Sequence, residues 1–312
     1  MPWPIGVMSF ARPDFLEPVL ASLRAQLGVD WSQREIFLFQ DGAVNAYSQV
    51  RKAEDHLIDQ SVELFKKYFP NGHVFRSEAN IGVCENFLRA ETHFFEVLKA
   101  DCAYFFEDDM VLAPQYLQVM DRLAAASIES RFVGYFAAYG HLRASLQTQH
   151  QNAARIERID HHWGFGLVRS HWLELHQWLK PYYDLVVGKE YRRRPTPEIL
   201  AYFRSRGIPL GVSSQDDVKK IGTYMLGRIG INTFPVLGKY IGNRGEHMNE
   251  VLFEKLGFQN SVMYDRPVET IDFPSPERAA QLLEAEINQR TSNIRQSDPT
   301  FTATAPSLRL LG

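Results

Sequence analysis

The stretch AYFFEDDMVLAP, residues 103–114, decides how this chain is read. Tyr104, Phe105 and Phe106 run straight into Glu107, Asp108 and Asp109, and Met110, Val111 and Leu112 resume the apolar run. A continuous apolar run of this kind suits a strand covered on both faces, ending where its polar residues begin. Three adjacent like charges repel one another, and apolar flanks sharpen the repulsion. One reading is a capped turn, because acids favour loops and helix starts. The other is a cation site. Mg2+ and Mn2+ take oxygen ligands and commonly link one or two carboxylates to a substrate's phosphates. The triplet fits a metal–diphosphate site better than a cap.

Working outward, the preceding residues alternate strand and helix. Residues 5–10 form a short apolar run. In RPDFLEPVLASLRAQ, Asp14 is a candidate N-cap, and Phe15, Val19, Leu20, Leu23 and Leu27 share a helical face. EIFLFQDG is a second strand, and a helix is expected over about residues 48–68. HVFRS is a third strand. NIGVCENFLRAETHFFEVLKA starts as a loop at Asn80 and becomes a helix, and CAYFFEDD is the fourth strand. This βαβαβαβ order predicts a parallel, right-handed, three-layer arrangement. In such sheets ligands sit beyond the carboxyl ends of the strands. Arg12, Asp41, Asn80 and the acidic triplet all emerge there.

The second half is less regular. PQYLQVMDRLAAAS is a helix, RFVGYFAAYG a strand and turn, and HHWGFGLVRSHWLELHQWL a glycine-containing loop leading into an aromatic-rich helix. SSQDDVKKIGTYMLGRIG reads as a capped helix, NTFPVLGKYIGNRGEHM as a strand with a polar loop, and SPERAAQLLEAEINQR as a last helix. The Ser/Thr/Pro-rich end is expected to be a mobile tail.

Bulk properties narrow the function. The 312 residues are 45% hydrophobic and 23% charged, with a net charge of −3. That suits a globular protein and speaks against a phosphate-tracking nucleic-acid binder. Cys84 and Cys102 form no CxxC pair, so neither a disulfide scaffold nor a zinc ribbon is expected. The start MPWPIGVMSF is unlike a signal peptide, and no window approaches a membrane span. The expectation is a cytoplasmic protein, with peripheral contact at the inner membrane surface left open. Neither a Walker A loop nor GxGxxG is present, so a diphosphate would be held by metal and side chains.

These residues resemble GT-A fold glycosyltransferases that use nucleotide sugars. PIGVMSFARPDFLEPVLASLRAQ resembles their first strand and helix, and FLFQDG their second strand. FFEDDMVLAPQYL is similar to their acidic metal motif in its EDD form. That form looks most like the Golgi N-acetylglucosaminyltransferase that starts complex N-glycans, and its protein O-mannose relatives. WGFGLVRSHWLELH, SQDDVKKIG and YIGNRGEHM resemble that group's glycine loop, Asp-Asp segment and late glycine-and-His segment. The resemblance runs over about residues 4–255, in patches.

It implies a GT-A fold: a Rossmann-like three-layer α/β/α sandwich with a mostly parallel central sheet and a smaller acceptor-side subregion. Residues 1–275 would form the domain, with a nucleotide-sugar half over 1–112 and an acceptor and catalytic half over 113–275. Residues 276–312 would form a C-terminal helix and tail. It further implies a metal-dependent, inverting transfer of a sugar, with UDP-GlcNAc or a similar donor, to a hydroxyl of a glycan, glycolipid or protein.

Roles follow residue by residue. Asp109 and His247 would hold Mn2+ or Mg2+. Asp108 would approach the ribose or a metal-bound water, and Glu107 the sugar or base side. Asp41 would meet uracil or ribose, although an Asp-Gly turn is an equal rival. Phe10 would contribute to donor binding, Arg12 would steady the base or diphosphate or simply cap a turn, and Asn80 and Gly82 would shape the loop over the nucleoside. Asn86 stands where the family has a nucleotide-facing His. Arg244 and Lys239 offer positive charge to phosphate. Trp163, Gly164, Phe165 and Gly166 could wall the sugar, or be a core aromatic and a tight turn. Asp216 is the candidate base for the acceptor hydroxyl, with Asp217 as the alternative; SSQDD is also a good helix start. Arg192, Arg193 and Arg194 read as a solvated basic turn. Two other readings share the fold: a sugar-nucleotide pyrophosphorylase, which would want a Gly-rich basic loop where FARPDFLEP stands, and a catalytically silent carbohydrate-binding protein.

Overall fold

The computed structural model describes residues 2–245 and 248–309. The first half alternates as expected: β1 (Ile5–Ser9), α1 (Pro13–Arg24), β2 (Ile36–Gln40), α2 (Asp55–Tyr68), β3 (His73–Arg76), α3 (Gly82–Thr92) and β4 (Cys102–Glu107). Next come β5 (Met110–Leu112), α4 (Tyr116–Ser130), β6 (Val133–Ala137), α5 (Leu146–Gln151), β7 (Ile156–Arg158) and β8 (Phe165–Val168). The remainder comprises α6 (Arg169–Trp178), α7 (Lys180–Val186), α8 (Thr196–Arg204), α9 (Gln215–Met225), β9 (Ile229–Thr233), β10 (Gly238–Tyr240), α10 (Glu250–Leu256) and α11 (Pro276–Arg295).

Among the described residues the main sheet runs β3-β2-β1-β4-β8-β6-β9-β7. β1, β2, β3, β4, β6 and β9 share one direction, and β8 and β7 oppose it. The sheet is therefore mostly parallel, with every residue of β1 and β2 buried as doubly covered strands require. On one face Phe39, Phe94, Phe105, Phe87 and Phe165 interlock. On the other, Tyr104 meets Phe136 and Phe106 meets Tyr116 of α4. Each such ring taken from water contributes on the order of 2 kcal/mol before entropy is counted. α1 begins with Pro13 in its first turn and buries Leu16, Val19, Leu20 and Leu23. β5 pairs with β10 in a separate antiparallel ribbon. Asp108 and Asp109 are the turn that carries the chain from the main sheet into it.

Three expectations change. The helix expected from about residue 48 starts at Asp55, because Asn45 Oδ1 accepts from the Tyr47 and Ser48 amides, an Asx turn that holds the chain out of helix. The glycine loop WGFG is shorter than read, since Phe165 and Gly166 already belong to β8. The expected mobile tail is docked: Phe301 is buried, the Thr304 amide donates to Gly207 and the Arg309 amide to Gly227.

Candidate active site

The acidic triplet is where strand four ends, with Glu107 partly buried. Asp108 and Asp109 are buried, and Ile241 donates its amide to the Asp109 carbonyl at 2.8 Å. A side chain at Gly242 would collide with Asp109 Oδ2, so glycine is what lets this loop close over the acids. Arg12 is their counter-charge. Its guanidinium binds Asp108 through two nitrogens, approaches Asp109 Oδ2 at 2.8 Å and donates to the Arg244 carbonyl at 3.1 Å. Burial alone would lower the Arg12 pKa, but Asp108 and Asp109 together raise it. Burial and the neighbouring acids push Glu107 well up, and burial with Asp108 pushes Asp109 up to about 6. Asp108 also titrates high, chiefly through burial, with Arg12 opposing.

The residues expected on the nucleoside side form a second knot. Asp41 Oδ1 accepts from the Gly42 and Ile81 amides, and Oδ2 from Asn80 Nδ2 at 2.8 Å and the Gly82 amide at 3.0 Å. Four donors saturate a carboxylate. Asp41 therefore staples the end of β2 to the start of α3, and burial still leaves its pKa raised. Asn80 is itself bracketed by Asn45, and Gly82 takes φ +80, which only glycine adopts at ease. Asn86 donates Nδ2 to the Phe39 carbonyl, while its buried Oδ1 has no partner. Phe10 is half-buried and accepts from Gln40 through its carbonyl. Arg244 pairs with Asp14 and lies over the Phe15 ring, as Arg12 does. Lys239 pairs with Val111 in the β5–β10 ribbon. His247 lies outside the described residues.

The two acids of QDD part company. Ser214 caps α9 by accepting from the Asp217 amide. Asp217 faces away into the seam with α11, where Arg290 binds its Oδ1 at 2.7 Å and the Val212 amide its Oδ2 at 3.1 Å. Burial would raise its pKa, but Arg290 outweighs burial and lowers it. The Asp216 side chain is 61% exposed, and its charge helps to raise Glu107 across the site. Tyr191 ties this end of α9 to the start of α3: its hydroxyl accepts from the Gln215 amide at 2.7 Å, and it packs beside Gly82.

The expected sugar wall is built otherwise. Trp163 is partly buried, with His161 stacked on it at 4.2 Å and Tyr240 at 4.3 Å, so its ring is already engaged within the protein. A side chain at Gly164 would strike Met110 and one at Gly166 would strike Phe136; these glycines serve packing rather than a ligand's approach. Phe165 is buried between Phe105 and Phe87.

Three residues that bear on the site were not singled out from the sequence. Arg290 lies far along the chain and carried no signal. Tyr240 sits above Asp109, and burial followed by Asp109's charge pushes its phenol above the ordinary range. His162 is buried against Tyr135, 4.0 Å from Asp216 Oδ1. The paired histidines of HHWG were the one available hint.

Strand order, strand direction and two-sided helical cover make this a GT-A-like α/β fold. No family model matches the chain, and no curated protein matches it. Solved structures similar to it include S. aureus TarS 1–349, at 13% identity and TM-score 0.43 over 96% of this chain and 74% of that one. Its complex with UDP-GlcNAc aligns at 14% identity and TM-score 0.41, over 94% and 67%. GalNAc-T7 with UDP, GalNAc and Mn2+ aligns at 10% identity and TM-score 0.46, over 75% and 42%. Against a longer S. aureus TarS structure the match spans 46% of this chain and 23% of that one.

Proposed function

We propose that this protein is an inverting glycosyltransferase that uses a nucleotide sugar, with UDP-GlcNAc the donor favoured by its EDD motif. The observation that carries the reading is the division of labour between its acids. Asp216 is exposed at the start of α9 and electrostatically in touch with Glu107, whereas Asp217 is consumed by Arg290. In the reaction, an acceptor hydroxyl attacks the anomeric carbon as its proton passes to Asp216. The bond from that carbon to the diphosphate oxygen breaks, and the nucleoside diphosphate leaves with the electron pair. Arg12 and Arg244 stand where the departing charge collects. Asn86 Oδ1 is the acceptor left over for an N–H of the base.

A divalent cation fits this site in a limited way. Asp108 and Asp109 supply oxygen ligands whose mutual repulsion a cation would relieve. Both are also engaged by Arg12, and among the described residues no group of three or more His, Cys, Asp or Glu is arranged to hold a metal. The residues therefore suit a Mn2+ or Mg2+ held chiefly by Asp109 and completed by the donor's diphosphate. When bound, such an ion would neutralise the leaving group.

The test is calorimetry of UDP-GlcNAc binding with and without Mn2+, followed by donor turnover in the wild type and Asp216→Asn. The expectation is donor binding strengthened by Mn2+ and retained in Asp216→Asn, with turnover lost. Absence of binding by UDP-GlcNAc and other nucleotide sugars under both conditions would sink the proposal.

A further inference from the structure

We propose that the groove between α3 and the edge strand β3 binds a single-chain aliphatic carboxylate, with the chain along the groove and the head on Arg89. The site is separate from the acids that carry the sugar-transfer reading. β3 ends the sheet, so among the described residues no further strand covers this side. Phe75 of β3 is 37% exposed there, and Val97 is 65% exposed. The groove has a volume of about 520 Å³, within the range of small-molecule sites. Phe39, Phe75, Leu88 and Val97 line it with apolar surface. On α3, Glu85, Leu88 and Thr92 recur along it at helical spacing. Beyond them the helix passes into a π turn, His93–Val97, a feature frequent at functional sites.

Arg89 supplies the polar end, and it lines the groove without a counter-ion. Its Nη2 donates to the carbonyls of Gln40 at 3.0 Å and Phe75 at 3.1 Å, and its guanidinium carbon lies 5.7 Å from the centre of the Phe39 ring. These contacts hold the guanidinium in place but bring no ionised acid to it. Its Nε is enclosed with no partner, and among the described residues no carboxylate is paired with it. Glu85, one turn earlier on α3, stands where an i,i+4 ion pair would form. That acid is drawn elsewhere: both its oxygens accept from the Tyr47 hydroxyl at 2.6 Å, and Oε1 also accepts from the Gly188 amide at 3.0 Å. Burial pulls the Arg89 pKa down, with the charge of Asp41 opposing. Charges taken from water are ordinarily paired, so a guanidinium in this setting wants an acid. A ligand carboxylate would provide one through charge-assisted hydrogen bonds. His93, one turn beyond Arg89, borders the same groove with its Nε2 enclosed and without a partner. One cation among apolar side chains selects one anionic head on one chain, whereas docking on an anionic bilayer calls for a cluster of cations.

Isothermal titration of the full chain with decanoate, kept below micelle formation, tests the proposal. The expected result is a single saturable site. Octanoate should bind about tenfold more weakly, because two buried methylenes are lost. Decyltrimethylammonium should also bind about tenfold more weakly, because its head cannot pair with Arg89. Arg89→Gln and Val97→Glu should each weaken decanoate by about tenfold, the first by removing the cation and the second by placing a like charge at the groove's mouth. Val97 is exposed, so its variant decides the matter even if Arg89→Gln loses stability along with its two carbonyl contacts. Absence of saturable decanoate binding, equal affinity for the cationic probe, affinity independent of chain length, or decanoate binding unchanged in Val97→Glu would each overturn the proposal.

Discussion

The acids at 107–109 and those at 216–217 are both runs of neighbouring carboxylates, yet the fold treats them in opposite ways. At the end of β4 the chain turns sharply into the β5–β10 ribbon, so consecutive side chains stay together and share one cation, Arg12. On the first turn of α9, neighbours diverge by about 100°. Asp217 is carried into the seam with α11 and Asp216 out toward Glu107. A turn accumulates charge and a helix start divides it. The first arrangement makes a site that wants positive charge, and the second parts its two acids, one solvent-exposed and the other locked against Arg290.

The strongest way to break this contrast is kinetic. Asp216→Asn should reduce sugar transfer by about 10² to 10⁴, the usual worth of a positioned base, with donor binding retained. Asp217→Asn should retain transfer within about tenfold when assayed below its melting temperature. Equal losses in the two variants would mean that the acids of α9 are not divided as their partners suggest.

Stability should separate them next, with opposite signs at the two sites. Asp217 and Arg290 are 12% and 11% exposed, and removing one partner of such a pair costs about 3 kcal/mol. Asp217→Asn should therefore lower Tm by several degrees at pH 7. The native pKa of Asp217 is depressed, so its contribution is present above the ordinary aspartate value and fades as pH falls through the native one. The gap between wild type and variant should close toward acid.

Asp109 reverses the sign. Its carboxyl is held up to about 6, so the native state resists its ionisation. That resistance is absent below the unfolded value near 3.9, grows as pH rises, and levels off above about 6. Asp109→Asn should then stabilise the protein by roughly 2 kcal/mol at pH 8, allowing for the lost contact with Arg12, and by less at pH 5. Thermal melts at both pH values read it directly. A variant less stable than wild type at pH 8 would mean that Arg12 already outweighs the repulsion. Removal of the acid should at the same time abolish the Mn2+ effect on donor binding.

Much of this was legible in the sequence. The alternation of apolar runs with helical periodicity gave β1 through β4 in order, and the ends of these parallel strands gave the edge after which Arg12, Asp41, Asn80 and the triplet follow. What could not be read is who satisfies whom. Asp41 looks equally like a ligand and a turn residue until its four donors are seen. Asp216 and Asp217 are indistinguishable until Arg290, 73 residues beyond Asp217, selects one. Gly164 and Gly166 suggested a ligand's approach, whereas Met110 and Phe136 explain them. Periodicity is local and survives in one dimension; partner choice depends on contacts across the fold.

The smallest effect tests the structure that lies between the two acidic regions. Trp163 stacks on Tyr240, which overhangs Asp109, and on His161, which precedes the His162 that approaches Asp216. With two rings already stacked on it, the indole braces the two regions and would have to give up a partner to stack on a sugar. Trp163→Phe keeps an aromatic in the stack with less overlap, so it should cost about 1 kcal/mol of stability and leave donor Kd within twofold. A tenfold weaker donor Kd without a matching loss of stability would mean that a sugar displaces His161 to reach the ring. The wall expected from WGFG would then form only in the complex, and the bracing role would belong to Tyr240 alone.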